Sequence, residues 1–445
     1  MEFKEFSYKA LDELISESNE LKLDLTFSNN IEVLGRKVKL KNKTIPNSLA
    51  IHPMEGCDGT SDGSPDELTI RRYERFARGG AGLLWLEAVA VVPEGRSNPR
   101  HLWIHEGNVS KFKELHDLIM KNAHEVYGND FNPVCIVQLT HAGRYSKPNG
   151  YPEPTLECHN PYLDKAQNFD PDLPIVTDEY LEKLEDAYVK AAELVKEAGF
   201  DGVDIKACHR YLSSGLLSSF TRTGKYGGSF EGRTRLLLNV VDKVRAKLGD
   251  DFIIASRMNA YDAIPYPYGW GVDKEDYKKY DLTEPIKLIK ILYEKGVRLI
   301  NITMGNPYYN PHVNRPYDKG PYVPDEHPLE GVARMIKGTA EIQKAVPDMA
   351  IVGTGYSWLR EFAPYVAAGS IESGKVTIVG FGRNAFAYPD FAKDILQDGG
   401  MKREKCCIAC GKCTEIMRSK GTTGCVVRDA KVYAPLYKKY VLGKE

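Results

Sequence analysis

Between residues 47 and 396, short apolar runs alternate with longer stretches of helical period, and this alternation constrains the fold more than any other feature of the 445-residue chain. Runs of strand length lie at 48–52, 82–92, 134–139, 202–206, 252–258, 298–303, 350–353 and 376–379. Each is followed by a helical segment, at 65–78, 110–124, 178–198, 232–248, 282–295, 329–345, 357–368 and 388–396. Eight strand-then-helix units predict a parallel sheet closed on itself, a (β/α)8 TIM barrel of the α/β class. Gly199 and Gly296, in EAGFDGVDI and EKGVRLINI, stand where helices must stop, because glycine enters the left-handed conformation without a Cβ clash. The expected organisation is an N-terminal extension over 1–44, a barrel over 45–400 and a cysteine-rich tail over 401–445. The extension is mostly polar, with one weakly amphipathic stretch at 9–21.

Three connections are far longer than the rest, at 141–177, 259–281 and 305–328, and all follow strands. In a barrel they lie on the carboxyl face, where active sites are built. They are expected to wall a substrate site or to make contacts between copies in a homo-oligomer. Their aromatic residues, Tyr261, Tyr266, Tyr268, Trp270, Tyr308 and Tyr309, suit either a flat apolar ligand or an interface. A formal charge of -1 gives no reason to expect nucleic acid or an anionic membrane as partner. No apolar run reaches the ~18 residues of a membrane span, and MEFKEFSYKA lacks a signal-peptide layout, so the expected location is cytoplasmic.

Nine cysteines are distributed unevenly: four stand alone at 57, 135, 158 and 208, and five crowd into 406–425. That pattern suits metal or cluster ligation better than a disulfide framework. Cys407, Cys410, Cys413 and Cys425 follow C-x2-C-x2-C-x11-C, the kind of spacing by which four thiolates grip a [4Fe–4S] cluster. Two CxxC steps also suit zinc, and Cys406 competes with Cys407 for the first position.

Six stretches carry a resemblance when taken in order: NSLAIHPM (47–54), RRYERFARGGAGLLWLEAVAVVPEGR (71–96), QLTHAGR (138–144), GFDGVDIKACHRYL (199–212), YGGSFEGRTRLLLNVVDKVR (226–245) and VGFGRNAFAYPD (379–390). With them the chain resembles the Old Yellow Enzyme family of FMN-dependent oxidoreductases, and within it the iron–sulfur branch of bacterial 2,4-dienoyl-CoA reductase and trimethylamine dehydrogenase. The resemblance favours a [4Fe–4S] cluster over zinc. It also implies FMN, with its phosphate on Gly353, Gly355, Gly382 and Arg383, glycine turns and a guanidinium where barrels commonly bind phosphate. By the same resemblance Gln138 and Arg257 face the flavin's pyrimidine edge, and Pro53, Met54, Glu55 and Ala88 border its reacting side. Glu55 departs from the small or hydroxyl-bearing residue of many relatives, and a bare carboxylate there would oppose electron addition unless paired or protonated.

The family's carbonyl-holding pair and its proton donor align with Lys206, His209 and Tyr211. Lys206 stands where a histidine is usual; it keeps a donor and adds charge that can stabilise an enolate. The competing expectation is structural, since strand alternation puts Asp204 on the same face and predicts a buried Asp204–Lys206 pair. The implied activity is ene-reduction: hydride to the β-carbon of an α,β-unsaturated carbonyl substrate, and a proton from Tyr211 to the α-carbon. Electrons are expected to enter through the cluster. No G-x-G-x-x-G opens a helix after a strand, so the donor is expected to be a partner protein or NAD(P)H binding directly over the flavin. Oxidation of an amine or C–H substrate with electrons leaving through the cluster, and an electron-transfer subunit without catalysis, remain as alternatives.

Overall fold

A computed structural model of the protein describes residues 2–444. An antiparallel hairpin, β1 (Val38–Leu40) and β2 (Lys43–Ile45), precedes the barrel. The barrel strands are β3 (Leu49–Ile51), β4 (Leu83–Ala90), β5 (Val134–Thr140), β6 (Gly202–Ile205), β7 (Ile253–Tyr261), β8 (Leu299–Met304), β9 (Ala350–Gly353) and β10 (Ile378–Phe381). They pair in parallel, each with its successor, and β10 closes on β3. The expected (β/α)8 barrel is therefore the observed fold. Every barrel-strand residue is buried, as parallel strands covered by helices must be. Polar caps set several helix starts: the side chain of Thr177 accepts from the amide of Tyr180, and that of Ser229 from the amide of Gly232.

Two helical segments differ from the periodicity reading. The seventh is a 3-10 turn, Tyr356–Phe362, followed by the helix Ala363–Glu372, with Arg360 at φ 49° between them. The eighth runs over Phe391–Asp398, starting three residues later than its period suggests, and a separate short helix, Arg383–Ala387, precedes it, because Pro389 cannot continue a helix. The N-terminal extension is built into the molecule. Val38, Leu40 and Ile45 join Ala50, Leu83 and Trp85 in one buried cluster at the base of the barrel. Phe6 packs edge-on against Trp358, and its amide donates to Asp318 (3.1 Å). All nine cysteines are free.

Candidate active site

The carboxyl ends of the strands open into a cleft with an empty volume, mouth included, of ≈1160 Å³. It is lined by Pro53, Met54 and Glu55 after β3, Gln138 on β5, Lys206, His209 and Tyr211 after β6, Arg257 on β7, Gly355 after β9, and Gly382 and Arg383 after β10. Eight short units deliver these side chains to one place because each strand ends on the same face. Ala88 and Gly353 lie off the lining: the Ala88 carbonyl accepts from His101 Nε2 (2.8 Å), and Thr354 takes the lining position beside Gly353.

The expected Asp204–Lys206 pair is not formed. Asp204 points into the barrel, where Trp85 Nε1 (2.8 Å), Gln138 Nε2 (2.6 Å) and the Arg257 amide (2.6 Å) all donate to it. Burial nevertheless lifts its pKa to about 6. Lys206 instead pairs with Glu55 at 3.2 Å, and the ammonium lies 3.6 Å from the centroid of the Tyr211 ring. The two departures from the family pattern therefore compensate each other. Tyr211 donates to Glu55 Oε1 (2.8 Å) and shares a 3.0 Å hydrogen bond with Tyr308, while Ser97 donates to Glu55 Oε2 (2.8 Å). Burial alone would raise the Glu55 pKa, but the Lys206 charge, His101 and the two hydroxyl donors outweigh it and hold the group near 2. Burial, followed by Glu55 and Tyr308, pushes the Tyr211 phenol well above its ordinary value, so it is a neutral donor. His209 is held well below the ordinary imidazole range, by burial and then by Arg257, Lys206 and Arg315, so its ring is neutral.

Local backbone and buried charge fix this constellation. His209 and Arg210 both have left-handed φ (63° and 60°), and Arg210 is locked by Asp262 at 3.0 Å in full burial. The loop carrying Glu55 is held from below, where the Gly56 amide donates to Glu87 (2.7 Å) and Arg72 bonds both Glu87 and Asp58. From above, the amide of Thr423 in the cysteine-rich tail donates to the Gly56 carbonyl (2.7 Å).

Several features fit a flavin nucleotide. Gly355 has φ 105°, which a side chain would strain, and a Cβ on Gly382 would meet nothing nearer than Met54 Sδ at 3.6 Å. Buried polar atoms of Arg257 (Nε), His52 (Nε2) and Asn384 (Nδ2) have no protein partner. Gln138 spends its amide on Asp204 and keeps its carbonyl oxygen to accept. In the tail, Cys407, Cys410, Cys413 and Cys425 surround a second cavity that shares Arg383 with the cleft. Among the described residues no three Cys, His, Asp or Glu side chains converge closely enough to hold one metal ion. The amides of Ala409 and Arg428 reach Cys407 Sγ (3.4 Å) and Cys425 Sγ (3.3 Å). Cys406 faces the hydrophobic core, 0% exposed, and lies off this cavity.

Asn314, Arg315 and Arg418 also line the cleft and carried no motif that sequence reasoning could single out. Of the loop aromatics, Tyr308 reaches the cleft, whereas Tyr261 and Trp270 are buried in the core and Tyr266 is exposed.

Comparison with known proteins agrees with this geometry. The chain is 26% identical over 419 residues to an NADH oxidase of Thermoanaerobacter brockii, covering 91% of this chain and 58% of the relative. It is 27% identical over 425 residues to a cinnamate reductase of Clostridium sporogenes, covering 90% and 58%. The chain thus spans just under three-fifths of the length of these relatives. A solved 2-naphthoyl-CoA reductase shares the fold with a TM-score of 0.70 at 23% identity, over 89% of this chain and 57% of that one. The family model for the NADH:flavin oxidoreductase / NADH oxidase family matches residues 36–399, and the chain belongs to that family, the FMN-dependent oxidoreductases of the Old Yellow Enzyme type.

Proposed function

We propose that the protein is an ene-reductase: it holds FMN in the cleft and a [4Fe–4S] cluster on Cys407, Cys410, Cys413 and Cys425, and it reduces an activated C=C bond conjugated to a carbonyl. The observation that carries this reading is the buried set Glu55–Lys206–Tyr211–Tyr308 beside a neutral His209, an acid–base group at the carboxyl end of the barrel. When bound, FMN supplies the hydride for the β-carbon and the cluster supplies single electrons. Arg383, with the glycine backbone at Gly355 and Gly382, would hold the FMN phosphate, and Arg257 and Gln138 its pyrimidine edge.

Lys206 and His209 line one wall and supply preorganised donors to a carbonyl oxygen. Tyr211 keeps its proton until charge develops on the α-carbon, then gives it up; the ammonium over its ring stabilises the phenolate left behind. Tyr308, bonded to Tyr211, is placed to restore that proton. Amine oxidation is less compatible, because an ammonium substrate would meet Lys206 and four guanidinium groups in the same cleft.

The C-x2-C-x2-C-x11-C spacing and the cavity lined by all four thiols support a cluster on these residues. The N–H···S contacts are of the kind that tune such clusters. The test is to reduce the protein anaerobically and mix it with a small enone. Reoxidation of the flavin with formation of the saturated product is expected. Flavin bleaching by an amine, with no reoxidation by any unsaturated carbonyl, would reverse the assignment.

A further inference from the structure

Three asparagines stand four apart in the loop that follows β8, in NPYYNPHVN, at 306, 310 and 314. Asn306 donates to the Tyr145 hydroxyl (2.8 Å) and Asn310 to the Asp262 carbonyl (2.9 Å), which staples this loop to those after β5 and β7. Gly305 turns the chain at φ 69°, and a Cβ there would meet the backbone nitrogen of Asn314 at 2.8 Å. Asn314 is thereby delivered, at the end of the short helix Pro311–Asn314, to the lining of the cleft beside His209. The His209 backbone is fixed too: its φ is left-handed, and its N–H donates to Asn259 Oδ1 (3.2 Å).

The side-chain amide of Asn314 has one orientation that its surroundings allow. Its Nδ2 lies 3.0 Å from the Met304 carbonyl, which only accepts, so turning the amide over would set two carbonyl oxygens against each other. The same Nδ2 lies 3.3 Å from Thr303 Oγ1 and 3.2 Å from His209 Nε2. An amide nitrogen accepts nothing, so a proton on Nε2 would face N–H groups with no acceptor between them; Nε2 therefore turns its lone pair toward Asn314. Burial, and then the groups that face the ring, Arg257 from β7, Lys206 after β6, Arg315 beside Asn314 and His52 after β3, all disfavour a second proton. One proton remains, and its place is Nδ1. Among the described residues nothing bonds Nδ1, and it is not sealed from solvent, so it opens on the cleft that His209 lines.

We infer that Asn314 is a positioning residue for the reaction: it locks His209 in the Nδ1–H tautomer, so that the carbonyl-holding wall consists of donors only, the Lys206 ammonium and His209 Nδ1–H. This rests on the ene-reductase reading and says which atom of His209 meets the substrate oxygen. A wall of donors takes an oxygen that only accepts, as the carbonyl of a ketone, aldehyde or ester does. It offers nothing to the N–H of an ammonium substrate, which would leave donors facing donors.

The experiment uses holoenzyme with oxidised flavin and cluster, its histidine rings labelled with nitrogen-15. Nitrogen–proton correlation across the ring bonds distinguishes a protonated from a bare ring nitrogen, and His209→Asn assigns the signals. Wild-type His209 is expected to show a bare Nε2 and a protonated Nδ1 across about pH 6–8, the range in which an ordinary histidine titrates. The second readout is anaerobic reoxidation of the reduced enzyme by cyclohexenone. Asn314→Leu should lose the tautomer signature and slow reoxidation about tenfold, the size of one hydrogen bond. Asn314→Asp separates positioning from structure: its carboxylate accepts from Nε2 and draws the proton off Nδ1. Reoxidation in that variant should be slow at high pH and recover as the pH falls and the imidazolium regains a proton on Nδ1, a dependence that wild-type protein lacks. A protonated Nε2 in wild-type protein overturns the inference and leaves ene-reduction intact, and so does a loss in Asn314→Asp that does not vary with pH. The wild-type spectrum decides the tautomer even where a variant fails to fold. No reoxidation of wild-type protein by any unsaturated carbonyl overturns the parent reading and the role of the wall with it.

Discussion

Replacing Glu55 by Gln removes one charge from a pair that is almost wholly out of water: the Lys206 side chain is 3% exposed and that of Glu55 13%. Gln keeps the shape but one acceptor oxygen where the carboxylate has two, so either Tyr211 or Ser97 loses its acceptor along with the charge. The carboxyl is held near pKa 2 against an ordinary 4.5. That difference, 4.5 − 2, at ~1.36 kcal/mol per unit, corresponds to about 3 kcal/mol in favour of the ionised form. Removal of one partner from a buried pair typically costs ~3–5 kcal/mol, because the remaining charge has no counterpart. Both routes lead to a loss of about 3 kcal/mol.

The assay is urea unfolding of anaerobically prepared protein, followed by far-UV circular dichroism, for Glu55→Gln, Lys206→Met and the double variant. Each single change should cost about 3 kcal/mol, and the double change much less than their sum, because it leaves no unpaired charge. The pH dependence has a definite sign. Since the folded-state pKa is depressed, the stabilisation is complete above pH ~4.5 and is lost as pH falls toward 2; Glu55→Gln should lack that component. Strict additivity of the two single changes, with costs below ~1 kcal/mol each, would show that Glu55 and Lys206 are not a coupled pair and would refute the compensation argued from their geometry.

Tyr211→Phe should still accept electrons yet be reoxidised by an enone ~10²–10⁴-fold more slowly in stopped-flow traces, the usual cost of losing a general acid. Lys206→Met should weaken both ligand binding and reoxidation, because it removes a donor that acts from the start. Arg383→Ala should yield largely flavin-free protein by absorbance; full FMN content in this variant would move the phosphate elsewhere. Anaerobic preparations should contain about four iron and four labile sulfide per chain, lost in Cys410→Ser and Cys413→Ser and retained in Cys406→Ser. Stoichiometric zinc without iron would sink the cluster assignment.

The barrel was legible because each strand's apolar run and each helix's period are local signals, and Gly199 and Gly296 punctuate them. In the eighth unit the helix was legible to within three residues, but the short helix Arg383–Ala387 that Pro389 separates from it was not. In the site, residues at strand ends were accessible to motif reading: Gln138, Arg257, Gly382 and Arg383 all reach the cleft. The pairing of Lys206 was not. Alternation correctly puts Asp204 on the inner face, but it carries no information on Glu55, 151 residues away, which outcompetes Asp204 because the latter is saturated by Trp85, Gln138 and the Arg257 amide. Arg315 and Arg418 were missed for the same reason, whereas Tyr308 stood out only as one of several loop aromatics. They lie on a long loop and on the cysteine-rich tail, where no period exists and closure over the barrel decides which side chain meets which.

The position of Glu55 shows why charge in such a cleft has to be read in pairs. A lone carboxylate in this closed space would disfavour electron addition to any bound flavin, since little solvent is available to screen it. Lys206 at 3.2 Å turns the carboxylate into one end of a dipole, and Tyr211 and Ser97 fill its remaining acceptor sites. The net field at the reacting end is then close to that of a neutral pair, and the unbalanced charge is positive and comes from Arg257, 8% exposed, with its Nε unpartnered. Asp204 beneath it is drawn upward in pKa by burial, so it offsets that positive charge only in part. An isosteric Lys206→Met change should therefore do more than remove a donor: by exposing Glu55 as an unpaired carboxylate it should also lower the flavin reduction potential. The double variant with Glu55→Gln should return the potential toward the wild-type value without returning the donor. Spectroelectrochemical titration of the three proteins separates the two effects, and an unchanged potential in Lys206→Met would mean that the carboxylate is protonated or screened once its partner is gone.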